Sequence, residues 1–176
     1  MPELPEVESI KRSLSSNIVG QKLKNYKIYD HRTNRYNTKK PTINESLLAI
    51  SRKGKLLIFD FEDYSIIFHL GMSGRIQVND KKNKHTRARF YFDKDNVNFD
   101  DIRRFGFIKI IKAELKIDYL NKIGPDVLDI STKQSRIIID KSKKSKSLIK
   151  DFILNQKYMS GIGNSNANEI LFASRI

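Results

Sequence analysis

Between Lys22 and Lys112 the apolar residues fall in short runs, KLLIFDFE, SIIFHLG, RARFYFD and GFIKII, separated by turn material such as EDYS, GMSG and DKDN. The runs are β-branched or aromatic and of strand length, far below the ~20 apolar residues a membrane-spanning helix needs. This stretch reads as a sandwich or barrel of short strands. On either side the hydrophobic period changes. From Pro5 to about Ser16 a helix is expected: proline suits its first position, Glu6 and Glu8 fall in the positive first turn, and Val7, Ile10 and Leu14 recur at helical spacing. Gly20 stands near a plausible stop. HRTNRYNTKKPT, basic and nearly free of apolar side chains, reads as a loop.

After IGPD, where Gly124 and Pro125 interrupt any regular element, the helical period returns. Leu148, Ile149, Phe152 and Ile153 form one stripe, and a second helix carries Ala167, Ile170 and Leu171. MSGIGNS lies between them as a glycine turn with Asn164 at an N-cap position. The fold class is therefore α+β: a leading helix and an antiparallel β-sandwich domain over 1–115, a linker over 116–130 and a helical domain over 131–176. No internal repeat is visible, and SKKSKS at 142–147 reads as a solvated helix edge.

Lysine and arginine number 34 against 20 acidic residues, a net charge of +14, which makes a polyanion the leading partner. An AT-rich genome, which favours Lys, Asn and Ile codons, is the competing explanation. Cysteine is absent, so disulfides, thiol nucleophiles and thiolate metal sites are excluded together. His31, His69 and His85 are scattered, and no metal site is expected. No basic flank precedes a long apolar run, so neither a signal peptide nor a membrane partner is expected, and the predicted location is cytoplasmic.

Five short stretches can carry chemistry. Removal of Met1 leaves Pro2 with a secondary α-amine. Such an amine has a reference pKa of about 7.7–8, against about 10.4 for lysine, so part of it is unprotonated near neutrality. It can attack an aldehyde-like carbon to give an iminium, with Glu3 moving protons. The alternative is an ordinary acidic helix start. In FHLGMSGR, Met72 is either buried in a hairpin or exposed as a wedge for a base stack. DDIRRFGF is either a charged turn with Phe105 in the core, or a loop whose Arg103 and Phe105 meet bases. MSGIGNSNANEIL offers aligned N–H groups for a phosphate, or a plain corner between helices. SRKGK places Lys53 and Lys55 at the start of a strand.

Taken in order, MPELPEVE, HLGMSG, DIRRFG and GIGN resemble the formamidopyrimidine-DNA glycosylase family, in its formamidopyrimidine rather than its endonuclease VIII branch. The resemblance covers nearly the whole chain. It implies a β-sandwich domain with a leading helix, then a helix–two-turn–helix domain. It also implies base-excision repair by a bifunctional glycosylase and abasic-site lyase that removes oxidised purines (8-oxoguanine, formamidopyrimidines) by β,δ-elimination, in a bacterial, nucleoid-associated setting. Residue by residue, it makes Pro2 the nucleophile at C1′, Glu3 the general acid and base, and Lys55 a contact to the lesion's phosphate. Met72, Arg103 and Phe105 fill the space left by the everted nucleotide, Asn164 binds phosphate, and His69 and His85 are further backbone contacts. Glu6 orients the site.

The sequence departs from the family pattern in two ways. The further helices, lesion-capping loop and four-cysteine zinc ribbon are not among these residues, so the helix–two-turn–helix domain is expected to be partial, with no cofactor in this chain and apolar helix faces left open to weak stability or self-association. Ser165 and Asn166 stand where an apolar and aromatic pair usually follows GIGN. The partner implied is double-stranded DNA carrying oxidised bases or abasic sites, bound by a functional monomer. The alternative is a catalytically impaired basic DNA-binding module.

Overall fold

The computed structural model describes residues 2–34 and 40–176. Part of the HRTNRYNTKKPT loop, and Met1, lie outside the described residues. Helix α1 (Leu4–Ile18) is followed by eight strands: β1 (Leu23–Ile28), β2 (Ala49–Lys53), β3 (Leu56–Asp60), β4 (Tyr64–His69), β5 (Gly74–Val78), β6 (Thr86–Phe92), β7 (Asn96–Asp101) and β8 (Phe107–Lys112). They form two four-stranded antiparallel sheets, ordered β1-β6-β7-β5 and β2-β3-β4-β8. A single 3₁₀ turn (Ala113–Leu115) then leads to α2 (Lys116–Asn121), α3 (Thr132–Lys144), α4 (Ile149–Leu154) and α5 (Asn164–Ala173). This is the expected α+β order, with the sandwich alternative selected over the barrel.

Alternation explains the first sheet. In β6, Ala88, Phe90 and Phe92 are buried while Arg89 and Tyr91 between them are only partly so, as expected of a strand with one face on a core. Phe68 of β4 is the centre of that core: its ring lies 4.9 Å from Phe59, 5.4 Å from Phe90 and 6.1 Å from Phe99, joining both sheets.

The second sheet does not alternate. Leu56, Leu57, Ile58 and Phe59 are all buried, because its outer face is covered too: Leu56, Ile58 and Ile67 pack there with Tyr119, Leu120 and Ile123. Residues 116–130, read from the sequence as a linker, thus include a helix docked on the sandwich. The apolar run in β3 carries that information, since a strand covered on both faces needs no polar side.

Helix α1 begins one residue earlier than expected, at Leu4, and buries Leu4, Val7, Leu14 and Ile18. It runs two residues past the expected Ser16, to Ile18, with Gly20 beyond it at φ +87°. Only Glu6 is in the first turn. Glu8 instead accepts from Arg52 Nε at 2.9 Å, and Lys11 and Arg12 flank it.

The helical part has its own core of Ile138, Phe152, Ile153, Ile162 and Ala167. Helix α3 lies in the stretch expected to be helical, although none of the apolar stripes read from the sequence falls on it. Its signal was the capping box at Ser131, whose hydroxyl accepts from Gln134 N at 3.2 Å while Gln134 Oε1 accepts from Ser131 N at 2.9 Å. Ser142–Lys144 close α3, the solvated edge expected of SKKSKS. The stripe expected at 148–153 is only half buried: Phe152 and Ile153 point inward, whereas Leu148 caps α4 and is 75% exposed. Ile137, Ile139, Ile149, Ile170 and Phe172 are exposed as well.

Arg52 joins the two parts. Its side chain is 6% exposed, and its Nη2 donates to Asp126 Oδ1 at 3.3 Å while Nε reaches Glu8. Asp126 Oδ2 also accepts from Gly54 N at 2.7 Å. A buried arginine is tolerated only when its donors are satisfied by such partners. Burial alone would raise the Glu8 carboxyl, but Arg52, Lys11 and Arg12 outweigh it and bring its pKa down to about 2. A depressed carboxylate stabilises the fold above its unfolded pKa, and that contribution is lost as pH falls towards the folded value. Glu8→Gln is therefore expected to cost up to roughly 3 kcal/mol at pH 6.5, with the gap to the wild type narrowing as pH drops from about 4.5 towards 2. Urea unfolding of both proteins at pH 6.5 and pH 3 measures it; a gap that stays constant would show that the ion pair is not its source.

Candidate active site and nucleic-acid face

Pro2 is half-buried immediately before α1, and Glu3 is the N-cap, 3% exposed. Glu6 Oε2 accepts from Glu3 N at 3.0 Å, one half of a capping box. Glu6 thus fixes the main chain at Glu3 from within α1. The Glu3 side chain faces the other end of the chain: it accepts from Gly163 N at 3.1 Å, Ser165 N at 2.9 Å, Asn166 N at 3.1 Å and the Asn166 side-chain amide. Leu4 N donates to Gly161 O at 3.2 Å. The approach is close enough that a Cβ on Gly163 would lie 2.3 Å from Glu3 Cδ, so a larger residue there would displace the carboxylate from its donors. Desolvation raises the Glu3 pKa, but the hydrogen bonds from Ser165, Asn166 and Gly163 prevail and hold it below the ordinary carboxylate value.

Asn164 is corrected by the structure. It is the first residue of α5, not its cap; Gly163 is the cap and supplies no side-chain bond. The Asn164 side chain is exposed at the helix N-terminus, where the neighbouring amides of Gly163, Ser165 and Asn166 are already taken by the Glu3 carboxylate. Gln156 was not found from sequence. It donates to Ile162 O at 2.9 Å and accepts from Gly161 N at 3.0 Å, fixing the glycine turn from below.

Gly54 and Lys55 are the two turn residues between β2 and β3, whose Lys53↔Leu56 pair closes the hairpin. Lys55 is half-buried, and burial lowers its pKa against the opposing pull of Glu3. Leu56 pairs with His69 at the end of β4, which brings Lys55 and His69 to one end of the sheet. They line one cleft with Phe107, Tyr119 and Gln156. The His69 ring stacks on Phe107 at 5.3 Å and 6°, and its Nδ1 accepts from Gly71 N at 3.1 Å. A neutral His69 therefore carries its proton on Nε2.

GMSG is not a hairpin. It carries the chain from β4 in one sheet to β5 in the other, and Met72 at its tip is 44% exposed. The DDIRRFGF loop packs against it: Asp101 accepts from Ser73 Oγ at 2.6 Å and Gly106 N at 2.8 Å, and Arg103 N donates to Ser73 Oγ at 2.9 Å. A Cβ on Gly71 would meet Gly106 N at 2.5 Å. Phe105 is 49% exposed rather than in the core, and the Arg103 guanidinium lies 4.8 Å from its ring centre. Met72, Arg103 and Phe105 are thus displayed by two mutually braced loops. His85 stands on the same rim, lining a cleft of about 830 Å³ with Arg32, Lys84, Arg87, Arg103 and Arg104.

Among the described residues no group of three or more His, Cys, Asp or Glu could hold a metal ion. With no cysteine in the sequence, the thiolate zinc site implied by the resemblance finds no ligand in this chain. No helix among the described residues is long and apolar enough to cross a membrane.

Residues 1–108 match the family model of the formamidopyrimidine-DNA glycosylase N-terminal domain, and residues 123–176 match that of the formamidopyrimidine-DNA glycosylase H2TH domain. The formamidopyrimidine-DNA glycosylase of Rickettsia conorii is 37% identical over all of this chain and 67% of its own length; that of Lactococcus lactis subsp. cremoris is 32% identical over all of this chain and 68% of its own. The Lactococcus lactis enzyme solved in complex with DNA containing an abasic site superposes with a TM-score of 0.89 at 30% identity, over 99% of this chain and 68% of that one. A structure of MutM in complex with DNA containing carbocyclic 8-oxo-G gives the same TM-score, 0.89, at 30% identity. The chain spans about two thirds of the length of these relatives. Two matched domains in one chain, the four motifs that carry them and the shared fold place this protein in the formamidopyrimidine-DNA glycosylase family.

Proposed function

We propose that this protein acts in base-excision repair as a DNA glycosylase for oxidised purines that also cleaves the strand at the resulting abasic site, with the Pro2 amine as nucleophile. One observation carries this reading: the Pro2–Glu3 step is fixed against the start of α5, on the side of the molecule where Lys55 feels the Glu3 charge. The solved relatives bound to DNA with abasic sites or oxidised bases support DNA as the substrate class.

C1′ of a stacked nucleotide is out of reach of a protein amine, so the nucleotide must leave the duplex at a cost of a few kcal/mol. Met72 and Phe105 are apolar yet exposed, and Arg103 is braced over Phe105, which suits all three to occupying the vacated stack. The Pro2 nitrogen lone pair then attacks C1′. The glycosidic bond breaks, its electrons leaving with the base, which takes up a proton. Loss of the amine proton and protonation of O4′ open the sugar to an iminium.

That cation acidifies the C2′ proton, whose removal expels the 3′ phosphate; a second elimination expels the 5′ phosphate. Glu3 is held ionised by its amide donors, so it serves first as a fixed negative charge beside the iminium and as a proton acceptor. Lys55 and His69 contact the lesion's phosphate, Asn164 a neighbouring one, and His85 the backbone near Arg103. A net charge of +14 draws the duplex in, and this part of the binding weakens with salt.

Borohydride trapping on duplex DNA with an abasic site tests the nucleophile. Wild-type protein is expected to give an adduct at Pro2, and Pro2→Gly to lose most of it while retaining salt-dependent binding. Equal trapping by the variant would refute the assignment, and binding without any adduct would make the chain a DNA-binding module only. Lys55→Ala is expected to slow removal of the damaged base by roughly tenfold or more, about 1.4 kcal/mol of transition-state stabilisation, with a smaller effect on undamaged DNA. Equal losses would reduce Lys55 to a general phosphate contact. Phe105→Ala should weaken binding to an abasic duplex by about 1–3 kcal/mol relative to an intact one; competition binding reads the difference, and an unchanged ratio would remove Phe105 from the stack.

A further inference from the structure

The side chain of Asn166 has no part in the chemistry above, yet it reaches the carboxylate at its centre. Glu3 Oε2 accepts from Gly163 N, Asn166 N and Asn166 Nδ2, and Oε1 accepts from Ser165 N. The Glu6 amide faces the same carboxylate through the capping box. A carboxylate has about four lone-pair positions, so five donors favour the charged form of Glu3 over the protonated one. Four of the five donors are main-chain amides, held by α1, the Gly163 cap and the first turn of α5. Asn166 Nδ2 alone stands on a rotatable side chain and can leave without moving a helix.

We propose that Asn166 is a positioning residue for Glu3: its side-chain amide adds a third donor to Oε2, orients the carboxylate and supports its charged form. The charged groups facing Glu3 are Lys55 from the β2–β3 turn, Glu6 from α1 and the adjoining Pro2 amine. The depressed Glu3 pKa, to which both the main-chain and the side-chain bond of Asn166 contribute, is consistent with the occupied state. Its catalytic consequence rests on the proposed reaction; the occupancy itself does not.

The test uses the full chain carrying ¹³C-labelled glutamate carboxyls, with the Glu3 signal assigned by its loss in Glu3→Gln. Asn166→Ala keeps the main-chain donor and removes the side-chain one, so the charged form loses support and the Glu3 titration is expected to move up by about one pH unit. Asn166→Asp, which sets a second carboxylate beside the first, should move it further. If Asn166→Ala does not fold, Asn166→Ser serves in its place. The pH profile of imine formation on an abasic duplex should move its acidic limb in step, whereas a merely structural loss would lower the profile at every pH alike. A Glu3 titration unmoved in the folded variant overturns the proposal, as does a shifted titration with an unshifted limb. A shifted titration with no imine at any pH upholds the occupancy and overturns the enzymatic reading instead.

Discussion

The contact between Glu3 and the start of α5 is the constraint on which the site depends. It joins residues 160 or more positions apart, and it does so with a charge taken almost wholly out of water. Such a charge is tolerable only if its lone pairs are met, and the glycine turn meets them with amides that no other element uses. A larger residue than glycine at 163 would push the carboxylate away. The same contact fixes where the chain's first residues lie, and hence where an N-terminal amine can act.

Arg52 supports that geometry from behind. By reaching Glu8 on α1 and Asp126 beside the glycine turn, it holds together the three segments that carry Pro2, Lys55 and Asn164. Ser160, whose hydroxyl donates to Gly124 O at 3.0 Å and whose Cβ lies against Gly54, brings the α4–α5 turn to the tip of the β2–β3 hairpin. Chemistry and scaffold thus overlap: the turn that presents Lys55 is also the joint between the sandwich and the helices.

The loops that carry Met72 and Phe105 follow another rule. Met72 and Phe105 are apolar residues left in water, which a fold does not require. Their loops are stiffened by glycines at 71 and 106 in close approach and by Asp101 bridging Ser73 and Gly106. The result is a pair of exposed side chains on a rigid base. That combination suits insertion into a stack, because little further ordering is needed on binding.

By itself the sequence determined the order of elements, the two kinds of hydrophobic period, the basic charge and the motifs that place the chain in its family, since each is local along the chain. It named Pro2, Glu3, Lys55, Met72, Arg103, Phe105 and Asn164 one at a time. Only the tertiary structure decided that Met72 and Phe105 are exposed rather than buried, that Gly163 rather than Asn164 caps α5, and that Glu8, Arg52, Asp126, Gln156 and Asn166 hold Glu3, the glycine turn and the β2–β3 hairpin in place. Pairing between distant charges and amides leaves no periodic trace in a sequence. It exists only once the sheet, the glycine turn and the first helix have been brought within hydrogen-bonding distance.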